Sequence, residues 1–164
     1  MVFGFAGWSG AGKTTLIRQV ITRLVGQGLR VSTLKHAHHD FDIDQPGKDS
    51  WEHRKAGAGE VLVVSDTRWA LMHELNGADE PSLPDLLAKL APADIVLIEG
   101  FKRSPVPKLE VFRAANEKPA LHPGDASIVG IAADIDFPDA GRPVLPLDDV
   151  AAITGFVRSR AAAF

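Results

Sequence analysis

Residues Gly7-Trp8-Ser9-Gly10-Ala11-Gly12-Lys13-Thr14 follow the pattern G-x-x-x-x-G-K-[ST]. The chemistry this spacing serves is phosphate binding. Glycines let the backbone turn tightly enough for several N–H groups to converge on one anion, and a helix N-terminus behind them adds its dipole. In such a loop the lysine supplies a point charge at the β- and γ-phosphates, and the hydroxyl of the next residue ligates Mg²⁺. We therefore expect Gly10, Ala11, Gly12 and Lys13 to hold phosphates, Thr14 to ligate Mg²⁺ and Thr15 to lie near the α-phosphate. The competing reading is a chance glycine-rich turn with a helix-capping threonine.

A second candidate is Glu99, at the end of the apolar run Ile95-Val96-Leu97-Ile98. Ligands of open α/β sheets sit at the carboxyl ends of the strands, so Glu99 is suited to ordering Mg²⁺ or a water. Asp94 begins the same run and belongs at the opposite end. The plainer alternative for Glu99 is a solvated strand terminus. A third cluster is His36-Ala37-His38-His39-Asp40-Phe41-Asp42-Ile43-Asp44. Imidazoles and carboxylates suit Zn²⁺ or Mn²⁺. The same alternation also fits a solvated acidic face with Phe41 and Ile43 packed inward, or a switch segment facing the γ-phosphate. Asp49 is open to two roles, Mg²⁺ ligand or helix cap. Lys102 and Arg103 are either phosphate-side cations or ordinary surface charge.

Elements of recognisable type surround these residues. Val2 to Ala6 reads as a buried strand entering the glycine loop. Leu16, Ile17, Val20, Ile21, Leu24 and Val25 recur at helical spacing after it, ending at Gly26-Gln27-Gly28. Leu29 to Leu34 reads as a strand and 35–48 as a long loop. Asp49-Ser50-Trp51-Glu52 opens a short helix with a capping-box pattern. Glu60 to Ser65 and Trp69 to Glu74, split by Asp66-Thr67-Arg68, form a hairpin. A helix from Pro81-Ser82, strands at 94–100, 109–112 and 127–132, and a helix capped by Asp148 and Asp149 complete the chain. Strands alternating with helices indicate an α/β fold with a mainly parallel central sheet.

At 164 residues with 45% hydrophobic and 24% charged content, the chain reads as a single globular domain over 1–164. Its net charge of −3 argues against nonspecific nucleic-acid or membrane binding. The absence of cysteine excludes disulfides, thiolate metal sites and thiol catalysis. No apolar run approaches the roughly 20 residues that span a bilayer. A cytoplasmic location is the expectation.

The glycine loop, the run Lys35-His36 to Asp49-Ser50 with Asp44 and Pro46-Gly47-Lys48-Asp49, Arg54-Lys55-Ala56-Gly57-Ala58, Arg68-Trp69-Ala70-Leu71 and Glu99-Gly100-Phe101-Lys102 together resemble the molybdopterin-guanine dinucleotide biosynthesis protein B family, MobB. The resemblance covers nearly the whole chain and is densest through residue 103. It implies a three-layer P-loop NTPase fold with an antiparallel hairpin excursion, GTP binding with Mg²⁺, slow GTP hydrolysis and a homodimer. It also implies a partner, the guanylyltransferase MobA, which attaches GMP to molybdopterin, and leaves open whether molybdopterin itself is bound. Trp8 stands where one subclass of phosphate-loop proteins carries a second lysine that reaches the partner subunit's nucleotide, so that device is missing. No arginine finger or water-positioning glutamine is apparent, in keeping with slow hydrolysis.

Guanine-specific proteins often carry [NT]-K-x-D after a late strand. This chain has no such string, and Asn116-Glu117-Lys118-Pro119 has the wrong spacing. Asp134, at the end of the strand Val129 to Ala133, is the nearest substitute as reader of the base. Two rival functions remain at this level: a small-molecule kinase built on the same loop, and a metallochaperone using the His/Asp segment. A kinase needs an arginine-rich lid, and the 35–50 loop contains no arginine.

Overall fold

Along β1 (Val2–Ala6) and β5 (Ile95–Glu99) successive side chains enter opposite hydrophobic layers. Phe3, Phe5, Ile95 and Leu97 join one cluster, while Val2, Val96 and Ile98 join another. A strand buried on both faces is apolar on both, which is why these runs show no polar alternation. The computed structural model describes residues 1–37, 41–101 and 104–164. His38, His39, Asp40, Lys102 and Arg103 lie outside the described residues.

The chain forms two compact units, one of residues 1–36 and 83–164, the other of residues 37–82. The first holds a six-stranded sheet. Its strands are β1, β2 (Val31–Lys35), β5, β6 (Lys108–Phe112), β7 (Ile128–Ala133) and β8 (Val144–Pro146), in the order β2-β5-β1-β6-β7-β8. Every neighbouring pair is parallel. Helices α1 (Lys13–Gly26) and α4 (Val150–Arg160) cover one face, burying Leu16, Ile17, Val20, Leu24, Ile153 and Val157 against Phe3, Phe5, Leu97 and Leu109. Helix α3 (Leu83–Ala88) covers the other face through Leu87, packed with Val2, Val96 and Ile98. The outcome is helix, sheet and helix in three layers.

Local chemistry explains the boundaries. Helix α1 stops at Gly26, and Gly28 takes φ 81°, a left-handed turn that glycine adopts without steric cost. The carboxylate of Asp149 accepts from the Ala152 amide at 2.9 Å and caps α4. Strand β8 was not expected; its three residues, the last of them Pro146, follow Pro143 and pair with β7 in parallel.

In the second unit, α2 (Asp49–Lys55) precedes an antiparallel pair, β3 (Glu60–Val64) and β4 (Trp69–His73), with Val64 opposite Trp69 and Leu62 opposite Leu71. The turn closes through Ser65, whose amide donates to the Arg68 carbonyl at 2.8 Å. The expected capping box is corrected: Lys48 is the N-cap residue, no side chain caps α2, and Asp49 is its first helical residue. The inward reading of Phe41 and Ile43 is reversed as well. Both are exposed, at 74% and 65%. The acids face the protein instead. Arg54, its side chain only 10% exposed, donates to Asp42 at 2.7 Å, Asp44 at 3.3 Å and Glu74 at 2.7 Å. Ser50 adds a hydroxyl to Asp44 at 2.8 Å. The Arg54 hydrogen bonds hold the Asp42 carboxyl below its usual range. A buried guanidinium needs such partners, so the alternation of Asp42 and Asp44 serves Arg54. Among the described residues no group of three histidines and acids is arranged to hold a metal ion.

Candidate phosphate-binding site

The glycine loop leaves the carboxyl end of β1 and enters α1. Three of its glycines have positive φ: Gly7 at 147°, Gly10 at 84° and Gly12 at 91°. Two of them are also crowded, Gly7 by backbone and Gly10 by the end of a side chain. A Cβ on Gly7 would come within 2.5 Å of the Val111 carbonyl oxygen, and one on Gly10 within 2.8 Å of Asn116 Oδ1. Gly12 is the N-cap of α1, with no side chain capping the helix and no acid in its first turn. The first helix-closing bond is Leu16 N–H to the Gly12 carbonyl at 3.0 Å, so the amides just before it have no helical acceptor. Such an end attracts an anion.

The Lys13 ammonium folds back over the loop and donates to the carbonyls of Gly7 at 2.8 Å and Trp8 at 2.9 Å. Thr14 and Thr15 are exposed on the first turn of α1, and Ala11 is buried beneath it. The outer side of the loop is fastened by a segment that sequence reasoning passed over. Trp8 Nε1 donates to the Pro119 carbonyl at 2.8 Å, and Asn116 Nδ2 donates to the Ser9 carbonyl at 2.8 Å. That segment is itself anchored inside the protein. Glu110, buried on β6, accepts from the Leu121 amide at 2.6 Å and from the amide and ring Nδ1 of His122, both at 2.9 Å. Asn116 thus has a task in holding the loop, although its spacing to lysine is wrong for the base-reading motif.

The remaining strand-end candidates lie on either side of β1. Glu99 ends β5 on one side, in register with Phe5 of β1 and Lys35 of β2. Its carbonyl accepts from the His36 amide at 2.8 Å. The chain then turns sharply through Gly100 at φ 97° and Phe101 at φ 48°. A Cβ at Gly100 would lie 2.7 Å from His36 Cβ, which gives the Glu99-Gly100-Phe101 string a steric reason. Asp94 precedes β5 at its amino end, as expected. Hydrogen bonds from the Arg30 guanidinium and amide pull its pKa down to about 2.

On the other side of β1, Arg113 follows β6 and Asp134 follows β7. Asp134 Oδ1 accepts from the Ala114 amide at 2.8 Å. An open cleft of about 730 Å³ is lined by Thr15, Arg113, Asp134, Asp136 and Leu147 among others. The cleft therefore runs from Thr15 and Gln19 on α1 to Asp134. The guanidinium of Arg113 lies beside Gly12, where an added Cβ would meet its terminal nitrogen at 3.5 Å. Arg113 was missed in the sequence, although it follows an apolar strand just as Glu99 and Asp134 end theirs. Asp49 belongs to the 37–82 unit, exposed at the start of α2.

A parallel sheet with a glycine loop between β1 and α1, and an acid at the carboxyl end of the neighbouring strand β5, defines a P-loop fold. The model of the family described as "Molybdopterin guanine dinucleotide synthesis protein B" matches residues 2–134, and the chain belongs to this MobB family. It is 39% identical over 159 residues to the molybdopterin-guanine dinucleotide biosynthesis adapter protein of Escherichia coli (strain K12), covering 95% of this chain and 90% of the relative. The protein of the same name from Haemophilus influenzae is 35% identical over 161 residues, covering 96% and 88%. Among solved structures, a molybdopterin-guanine biosynthesis protein B aligns with TM-score 0.78 at 25% identity, over 97% of this chain and 99% of the other. A MobB homologue from Bacillus stearothermophilus aligns with TM-score 0.67 at 27% identity, again over 97% and 99%. Among the described residues no helix is long and apolar enough to cross a membrane.

Proposed function

We propose that this chain is an adapter in molybdopterin-guanine dinucleotide synthesis that binds GTP·Mg²⁺ and hydrolyses it slowly. One observation carries the nucleotide part of the reading: an uncapped helix N-terminus behind three positive-φ glycines, with a cleft running from Thr15 on the same helix to Asp134. Gly10, Ala11, Gly12 and Lys13 would hold the β- and γ-phosphates through backbone amides and the ammonium. Thr14 supplies a hydroxyl to Mg²⁺, with Glu99 on the β5 side to order the ion or its water. Mg²⁺ would neutralise charge on the phosphate oxygens. Asp49 begins a helix of the other unit and has no part in this proposal. Asp134 is the proposed acceptor for the base. Calorimetry with GTP and ATP in the presence of Mg²⁺ tests this directly. GTP should bind at least tenfold more tightly; equal affinities would end the guanine reading. In the same preparation Glu99→Gln should retain GTP affinity and lose single-turnover hydrolysis, and unaltered hydrolysis would reduce Glu99 to a strand terminus.

The adapter role is supported by the names of the relatives; the guanylyltransferase as its partner is our own extension of that reading. A homodimer is supported by the hairpin itself. Leu62, Val64, Trp69 and Leu71 are cross-strand partners, so they share one face, and they are 60%, 71%, 68% and 49% exposed. An apolar strip of that kind is an association surface. The double variant Trp69→Glu, Leu71→Glu should sediment as a monomer while the wild type sediments as a dimer. A monomeric wild type removes the dimer from the reading.

A further inference from the structure

We propose that Arg113 is a nucleotide-binding residue that grips the α-phosphate from the β6 side of the loop. The proposal rests on the GTP reading and adds a residue to it. Three observations support it. Arg113 leaves the carboxyl end of β6, which pairs directly with β1, so its backbone is fixed beside the loop. Its guanidinium reaches Gly12, where an added Cβ would sit 3.5 Å from one terminal nitrogen and 4.0 Å from Nε. It is exposed in the cleft shared by Thr15 and Asp134, and makes no side-chain hydrogen bond or ion pair with another described residue. Asp134, Asp136 and Asp148 line the same cleft, yet none of them captures it. A long cationic side chain beside a phosphate loop, in a cleft with three carboxylates and bonded to none, is free to meet an anion.

The order of the strands selects which anion. Glu99 lies on the β5 side of β1, which we assign to Mg²⁺ and the γ-phosphate. Arg113 lies on the β6 side, with Thr15 and the cleft leading toward Asp134. The phosphate between the loop and the nucleoside is the α-phosphate. A guanidinium can meet two of its oxygens with parallel hydrogen bonds, which an ammonium cannot reproduce.

Calorimetry on wild type, Arg113→Ala and Arg113→Lys with GTP, GDP and GMP tests the assignment, with thermal melting to verify folding. All three nucleotides carry the α-phosphate. Arg113→Ala should therefore weaken GTP and GDP by the same factor, about tenfold to a hundredfold, and remove measurable GMP binding. Arg113→Lys should recover only part of the loss. Should Arg113→Ala melt early, Arg113→Gln serves as the second variant, with the same expectation. Unchanged affinities in a folded variant overturn the proposal and leave the GTP reading intact. A loss confined to GTP also overturns it, because that would be a γ-phosphate contact. A wild type with no affinity for any of the three overturns this proposal and the GTP reading together.

Discussion

Lys13→Ala is expected to abolish measurable GTP binding while leaving the chain folded. The argument starts from charge. In the proposed complex the ammonium serves two phosphates, and hydrogen bonds between ionised partners contribute roughly 1.5–3 kcal/mol each. Losing two of them is a loss of about 3–6 kcal/mol, or a hundredfold to more than ten-thousandfold in affinity. Lys13 has a second task that the structure makes visible. Its ammonium already joins the carbonyls of Gly7 and Trp8, so the variant also loosens the inner turn of the loop. The outer turn keeps its ties from Asn116 and Pro119, and α1 keeps the buried Leu16, Ile17, Val20 and Leu24. Melting should therefore change little. Calorimetry on the folded variant decides the matter, and GTP affinity equal to wild type would refute the loop assignment.

The second large effect is expected at Asp134, where Asp134→Asn should weaken GTP and improve xanthosine triphosphate. Guanine presents N1–H and an exocyclic amino group side by side, a pair that one carboxylate can accept. Xanthine keeps N1–H and replaces the amino group with a carbonyl, which an amide side chain matches with one acceptor and one donor. The geometry makes the substitution cleaner than a truncation. Oδ1 accepts from the Ala114 amide, and an asparagine oxygen can keep that bond while the rest of the head group changes. GTP should lose roughly 1.5–3 kcal/mol, the scale of a hydrogen bond to a charged group. Competition binding with both nucleotides provides the measurement. If the two affinities fall together, or neither moves, Asp134 only holds the turn at Ala114 and the base is read by other groups.

How far such a site is legible depends on whether a residue's neighbours in sequence are also its neighbours in space. The glycine loop is local: strand, turn and helix are consecutive, so the pattern at Gly7 to Thr14 carries its own context. Glu99 and Asp94 could be told apart because a buried parallel strand has two unlike ends, and Arg30 now accounts for Asp94 at the amino end. The hairpin was readable for the same reason, through two apolar runs and a polar turn. The acids Asp42 and Asp44 were not, because alternation defines two faces without saying which one meets the protein. The partner that decides it, Arg54, lies ten and twelve residues away, and it turns Phe41 and Ile43 outward. Strand β8 was hidden by its length and its prolines; pairing with β7 makes it a strand. Asn116 and Pro119 were unreadable because their bonds to the loop span 107 and 111 residues. Arg113 could have been found by the rule that found Glu99, applied to the end of the next strand along.

The bond from the His36 amide to the Glu99 carbonyl has a mechanical consequence. His36 is the last residue before the 37–82 unit begins, and its ring lies 4.9 Å from that of Phe101. With Gly100 pressed against His36, the end of β5 and the exit of the chain toward residue 37 form one stiff joint. The Glu99 backbone and residue 36 are therefore tied to one another, and a shift of the strand end carries the His36 amide with it.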